Sequence, residues 1–154
     1  MKSTKIIRPN RGPMKMPKEL KLEWQDKRSL AIKKIIVGEI SLENALGPGE
    51  KQITSGLRLK RLQEAGYILL DVAFLFALNR DQDLIPDSWK SKAKDGIFFE
   101  GTRVLTPYGA PGITSYRLYH CPGLTWSGYW SVNGDVLSDY ELTIAQGYSA
   151  VLKR

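Results

Sequence analysis

Cysteine is nearly absent, with Cys121 the one copy among 154 residues. A single thiol cannot close an intrachain disulfide, and no CxxC pair or Cys/His cluster exists to hold zinc. Nothing therefore points to an oxidising compartment. Histidine also occurs once, as His120 beside that cysteine. Their surroundings read as a strand, where neighbouring side chains point to opposite faces, so this thiol and imidazole cannot pair as nucleophile and base. Long apolar runs are missing too. The longest, Tyr67–Leu78, is interrupted by Asp71, and its twelve residues are too few to span a bilayer. Met1 to Lys21 lacks the continuous apolar core of a secretory signal. These absences predict a cytoplasmic protein with no membrane segment, no metal and no other cofactor.

Recognisable catalytic constellations are lacking as well. Gly47-Pro48-Gly49-Glu50-Lys51 does not have the spacing of a phosphate loop, and Pro48 removes an N–H that a phosphate cradle needs. Asp81, Asp83 and Asp87 lie along a loop without the glycine and final glutamate of a calcium-binding loop. Asp135, Asp139 and Glu141 read as surface charge. No catalytic residue is assigned, and an enzyme of unspecified class ranks third among the functional readings.

Charge is what the chain has, and it is unevenly placed. The formal net charge is +7. Lys2, Lys5, Arg8, Arg11, Lys15, Lys18 and Lys21 face only Glu19 in the first 21 residues, which carry +6, whereas residues 22–154 carry +1. Pro9, Pro13 and Pro17 break helix and remove ladder donors over the same stretch. Residues 1–17 are therefore expected to form a flexible basic arm. Residues 18–154 are expected to form one domain, helical over 18–90 and β-rich over 95–152. A length of 154 residues and 42% hydrophobic composition suit a single globular unit.

Apolar spacing predicts a helix from Pro17 to about Val37, with Leu20, Trp24, Ala31, Ile32 and Ile35 on one face and Gly38 ending it. Ser41 suits the N-cap of a short helix through Leu46. Another helix is expected from about Gln52 to Ala65, closed by Gly66. Tyr67–Leu70 reads as extended, and Asp71 is placed to cap a helix through Leu78. A short turn follows at Pro86–Lys90. Strands are expected at Ile97–Leu105, Ile113–Cys121 and Leu124–Val132, where β-branched and aromatic residues lie between Gly/Pro turns. Asn133-Gly134-Asp135 carries a hairpin signature, with closing strands in Val136–Leu142 and Tyr148–Leu152. The class predicted is α+β, with the N-terminal helices on one face of a C-terminal antiparallel sheet of four to five strands.

From Leu59 onward the chain resembles a family of small uncharacterised bacterial proteins. The residues that carry the likeness are Arg61-Leu62-Gln63-Glu64-Ala65-Gly66, Ile68-Leu69-Leu70-Asp71, Leu84-Ile85-Pro86-Asp87-Ser88-Trp89-Lys90, Ile97-Phe98-Phe99-Glu100-Gly101-Thr102 and Ser149-Ala150-Val151-Leu152. The resemblance covers about residues 59–152. It implies an integral single domain in a bacterial cytoplasm, and no activity, ligand or site.

The leading functional expectation is a non-enzymatic protein that contacts nucleic acid, or another polyanion, through Lys2, Lys5, Arg8, Arg11, Lys15, Lys18 and Lys21. Counterion release supplies affinity to such a tail. Arg58, Lys60 and Arg61 on the Gln52–Ala65 helix are expected to assist, in a loose likeness to a helix-turn-helix. The plain alternative there is an ordinary helical hairpin, with Arg58 lying along the core's edge. The second reading is a protein-interaction module using an aromatic sheet face, with Arg117, Tyr119, Trp126, Tyr129 and Trp130 as its residues. The plain alternative is a sheet rich in aromatics because strands favour them.

Overall fold

The computed structural model describes residues 5–11, 21–93, 96–106, 112–121, 129–137, 144–145 and 147–154, with backbone alone for 21–23, 104–106, 112–121 and 129–137. Nine strands and three α-helices follow in chain order among them: β1 (Ile6–Ile7), β2 (Lys21–Gln25), α1 (Lys27–Leu30), β3 (Ile35–Ile36), β4 (Ser41–Glu43), α2 (Ser55–Glu64), β5 (Ile68–Leu69), α3 (Val72–Arg80), β6 (Ile97–Thr106), β7 (Gly112–Cys121), β8 (Tyr129–Leu137) and β9 (Tyr148–Leu152). The class is α+β.

The main sheet runs β4-β9-β6-β7-β8, with β2 paired to β6 and β5 paired to β9. It is mixed, because β6 and β9 run parallel (Ile97 opposite Tyr148, Phe98 opposite Ser149). A separate ribbon joins β1 and β3, with Ile6 opposite Ile36 and Ile7 opposite Ile35.

The expected arrangement of helices on one face does not hold. On β9, Ala150 and Leu152 pack with the α3 side chains Phe74, Leu75 and Leu78, while Val151 packs with Leu59 and Leu62 of α2. On the β5 segment, Ile68 and Leu70 join the first cluster and Leu69 the second. Both stretches are unbroken apolar runs rather than alternating ones, the pattern of strands buried on two faces. Helices α2 and α3 therefore cover opposite sides of the sheet centre.

The long N-terminal helix is also replaced. Residues 21–25, Lys-Leu-Glu-Trp-Gln, alternate polar and apolar, a strand period, and they pair with β6 (Lys21 opposite Leu105, Gln25 opposite Thr102). Asp26 ends that strand and caps the one-turn α1, accepting from the Arg28 N–H at 3.0 Å. Ile35 and Ile36 are β-branched and lose less in extended backbone than in a helix. Ser41–Glu43, expected to be helical, pairs instead with β9 (Leu42 opposite Ala150). The Asn133-Gly134 hairpin is likewise absent. Those residues lie inside β8, opposite Arg117 and Tyr116, in an unbroken register from Ile113–Leu137 to Cys121–Tyr129. The uninterrupted pairing outweighs the local turn preference; residues 122–128 lie outside the described residues.

Other expectations match. Asp71 caps α3 by accepting from the Ala73 N–H at 3.2 Å; the helix expected from about Gln52 starts at Ser55, and its cap, not foreseen, is Thr54, which accepts from the Leu57 N–H. Gly66 takes φ +78° beyond α2. The Tyr67 N–H reaches the Leu62 carbonyl at 3.2 Å and the Gly66 N–H reaches that of Gln63 at 3.0 Å, a two-bond helix closure.

A local irregularity in β6 organises the centre. Its register on β7 jumps from Phe99–Tyr116 to Arg103–Ser115, so Glu100, Gly101 and Thr102 form an unpaired bulge on that side. All three are buried. The Gly101 N–H donates to the Leu70 carbonyl at 3.0 Å, and the Thr102 hydroxyl accepts from the Val72 N–H at 3.0 Å. The bulge thus clamps the start of α3.

Candidate nucleic-acid interface

The basic N-terminal segment is not wholly a tail. Residues 5–11 lie on the body, anchored by buried Ile7 and Pro9 and by the β1–β3 ribbon. Arg11 is the strongest anchor. Its guanidinium donates to both Asp71 carboxylate oxygens at 2.8 and 3.2 Å, to the Ser29 carbonyl at 2.7 Å and to the Ile32 carbonyl at 2.9 Å. It also lies 5.2 Å from the Phe74 ring centre. The Ser29 hydroxyl donates to Asp71 and accepts from the Asp71 N–H. Three elements are joined by this cluster, with the Arg11 charge engaged inside the fold.

Three further cations expected at the interface each have an acidic partner. Arg58 is 1% exposed, pairs with the equally buried Glu100 at 3.4 Å, and faces the Phe98 ring. Because α2 packs on the sheet, a side chain assigned to the core's edge becomes one inside it. Lys60 lies 4.0 Å from Glu64, an exposed pair one helical turn apart. Arg61 chelates Glu50 and also donates to the Ala45 carbonyl at 2.9 Å. The Arg61 hydrogen bond, followed by that of the Gly47 N–H, lowers the Glu50 pKa from 4.5 to about 2. The same contact raises the Arg61 pKa. At β4, burial pushes Glu43 up, but hydrogen bonds from Lys153 and Ser41 outweigh it, leaving its pKa below the ordinary value.

Positive charge remains unpaired elsewhere. Residues 27–34 read Lys-Arg-Ser-Leu-Ala-Ile-Lys-Lys, with four cations and no carboxylate. Lys27, Lys33 and Lys34 are exposed, as is Arg8. Among the described residues none of the four has an ion pair or side-chain hydrogen bond. The β1–β3 register places Arg8 beyond Ile7–Ile35, opposite Lys34. Lys5, at the other end of β1, reaches the carbonyl of Asp83. The free charge therefore gathers at the Arg8 end.

The same stretch borders an open cavity of about 570 Å³ lined by Trp24, Gln25, Asp26, Lys27, Arg28, Leu30 and Gln63. Asp26 is buried there and accepts from the Leu69 N–H at 2.9 Å, so its charge is tied down. Arg28 donates to the Gly66 and Tyr67 carbonyls at 3.0 and 2.8 Å, capping the end of α2. Trp24 is half-buried, with the Arg103 guanidinium 4.4 Å from one ring centre. An indole, two side-chain amides and one lysine, Lys27, thus line the cavity.

Lys27, Lys33, Lys34 and Trp24 were not legible as a site while residues 17–37 read as one helix. The signal was there in the four cations without a carboxylate. Lys2, Lys15 and Lys18 lie outside the described residues, as does Trp126. The side chains of Lys21, Arg117, Tyr119, Tyr129 and Trp130 are not described either, and only their backbones are placed, in β2, β7 and β8. Among the described residues no group of three or more His, Cys, Asp or Glu could hold a metal ion, and no helix is long and apolar enough to cross a membrane.

Comparison of the chain with protein-family models, with curated proteins and with solved structures finds no match.

Proposed function

We propose that the protein binds single-stranded nucleic acid, using Arg8, Lys27, Lys33 and Lys34 as phosphate contacts and the Trp24 cavity as a base site. The observation that carries this reading is the set of exposed cations Arg8, Lys27, Lys33 and Lys34, which no described acidic group neutralises, Arg28 between them being paired with Asp26. Lys2, Lys15, Lys18 and Lys21 add charge to the same end of the chain. Counterion release supplies the affinity, and stacking favours an unpaired strand over a duplex.

The test is fluorescence anisotropy of labelled single- and double-stranded oligonucleotides over a salt series, with full-length protein. Replacing Arg8, Lys33 and Lys34 together by Gln is expected to reduce the logarithmic salt slope by roughly 0.7 per residue on single strands. Trp24→Leu is expected to weaken single-strand binding by about 1–3 kcal/mol while leaving that slope unchanged. Equal affinity for duplex, or a triple variant with an unaltered slope, rejects the reading.

A further inference from the structure

Segment 5–11 alternates as it crosses the body. Ile7 and Pro9 are buried, Arg8 and Asn10 are exposed, and the Arg11 guanidinium turns back in to Asp71. That is the period of an extended chain. Inward contacts hold it from end to end. At its start the Val37 N–H donates to the Lys5 carbonyl at 2.9 Å, and the Lys5 ammonium reaches the carbonyl of Asp83. At its finish Arg11 bonds Asp71 and the carbonyls of Ser29 and Ile32. An extended chain pinned inward at Ile7, Pro9 and Arg11 must present Arg8 outward.

What Arg8 meets there is more positive charge. The register Ile6–Ile36, Ile7–Ile35, carried one residue on, sets Arg8 across from Lys34, with Lys33 next in sequence. All of these cations are exposed, and none has an ion pair among the described residues. Like charges directly opposite each other on paired strands are destabilising. Docking of the segment therefore concentrates positive charge against its own repulsion, and the contacts of Ile7, Pro9 and Arg11 oppose that repulsion. An anion held between Arg8 and Lys34 removes the repulsion and so favours the docked segment. Such linkage is reciprocal: the factor by which docking strengthens anion binding is the factor by which the anion strengthens docking.

We infer that Arg11 is a positioning residue for the nucleic-acid site: by pinning segment 5–11 it sets Arg8 beside Lys34, so that docking of the segment and binding of a single strand are one coupled event. The inference rests on the single-strand reading above. Arg11 acts through Arg8 and does not itself contact the strand.

Salt acts unequally on the charges involved. Arg8 and Lys34 are exposed and their repulsion is screened, whereas Asp71 is 2% exposed and its pairing with Arg11 is screened much less. Added salt is therefore expected to tighten docking in the free protein, the opposite of its effect on a segment held only by an exposed ion pair.

Exchange of the Val37 amide hydrogen, followed by NMR in the full chain, reads docking, because its acceptor is Lys5. The Leu70 amide, bonded to the Ala150 carbonyl in the sheet centre, serves as the control for global opening. Relative to Leu70, Val37 exchange in the free protein is expected to slow as salt rises from about 20 to 300 mM. Single-stranded oligo(dT) at low salt should slow it by about fivefold or more, the lower end of ordinary coupling between sites. Arg8→Gln should slow it without any ligand and remove the salt effect, while weakening oligo(dT) binding. Arg11→Ala should speed Val37 exchange and weaken binding, read by fluorescence anisotropy, by about fivefold or more. Arg11→Lys keeps the charge but not the planar fork, so it should weaken binding too, whereas a lysine would serve well as a simple phosphate contact. If oligo(dT) binds and Val37 exchange is unchanged, or if Arg11→Ala or Arg11→Lys binds with the parent affinity, the inference falls and the nucleic-acid reading stands. Val37 exchange that quickens with salt or in Arg8→Gln also overturns it. No anisotropy change with the parent protein rejects both.

Discussion

Glu50 is an exposed carboxyl whose ionised form is favoured by folding. Arg61 and the Gly47 N–H hold its pKa at about 2, against 4.5 for the ordinary group. A folded-state pKa below the unfolded one contributes stability that is complete above pH 4.5 and is lost as pH falls toward 2. Glu50→Gln is therefore expected to flatten the acid limb of stability between those values and to leave the shape of the curve above pH 5 unchanged. Urea midpoints measured over a pH series check this; an acid limb as steep as that of the parent protein would show that Glu50 is not coupled to folding. The same residue scale separates the three cations of α2 by their partners. Three cations in four residues, Arg58, Lys60 and Arg61, look alike in sequence, yet their partners are Glu100, Glu64 and Glu50. Two of those partners are distant in the chain, and sequence spacing does not reveal them.

The β6 bulge matters most at the scale of elements. A Cβ on Gly101 would stand 2.2 Å from the Leu69 carbonyl oxygen and 2.6 Å from the Leu70 carbonyl carbon. Both are backbone atoms and cannot rotate away. Gly101→Ala is expected to cost more than about 3 kcal/mol, in the range of severe overpacking, and thermal unfolding or soluble yield will read it. A loss below about 1 kcal/mol would mean that the strand can slide off β5. Sequence patterning found α2, α3, β5, β6, β7 and β9 because each has its own cap, period or closing glycine. It failed where pairing partners decide the conformation. Residues 21–25 fit a helical face through Trp24 and also a strand through their alternation, and β6 selects the strand. Ser41–Glu43 is too short for any period to settle, and β9 draws it into the sheet. The candidate interface was hidden by the same error, since Lys27, Arg28, Lys33 and Lys34 would have been scattered around one long helix.

At the scale of the whole molecule, Arg11 joins the N-terminal segment to the body. Its side chain is 25% exposed and Asp71 is 2% exposed, so removing it strips a largely buried carboxylate of its cation while Ser29 and the Ala73 N–H remain. Arg11→Ala is expected to cost about 1–3 kcal/mol, discounted from the fully buried case because Arg11 is partly solvated. For a chain of this length that lowers the melting temperature by several degrees. Limited proteolysis with trypsin should also become faster at Lys5, since Arg11 holds this segment on the body. Unchanged cleavage there would assign the anchoring to Ile7 and Pro9 alone.

The position of β9 bears on how the chain acquires this structure. Residues 148–152 are flanked by β4 on one side and by β5 and β6 on the other, so strands made early in synthesis wait for one made late. Until it emerges from the ribosome, Leu42, Ile68 and Ile97 have no strand between them to share. The closing step joins segments more than a hundred residues apart (Ser41 with Val151), which makes folding slow for the size of the chain and places it after translation of the sheet, not during it.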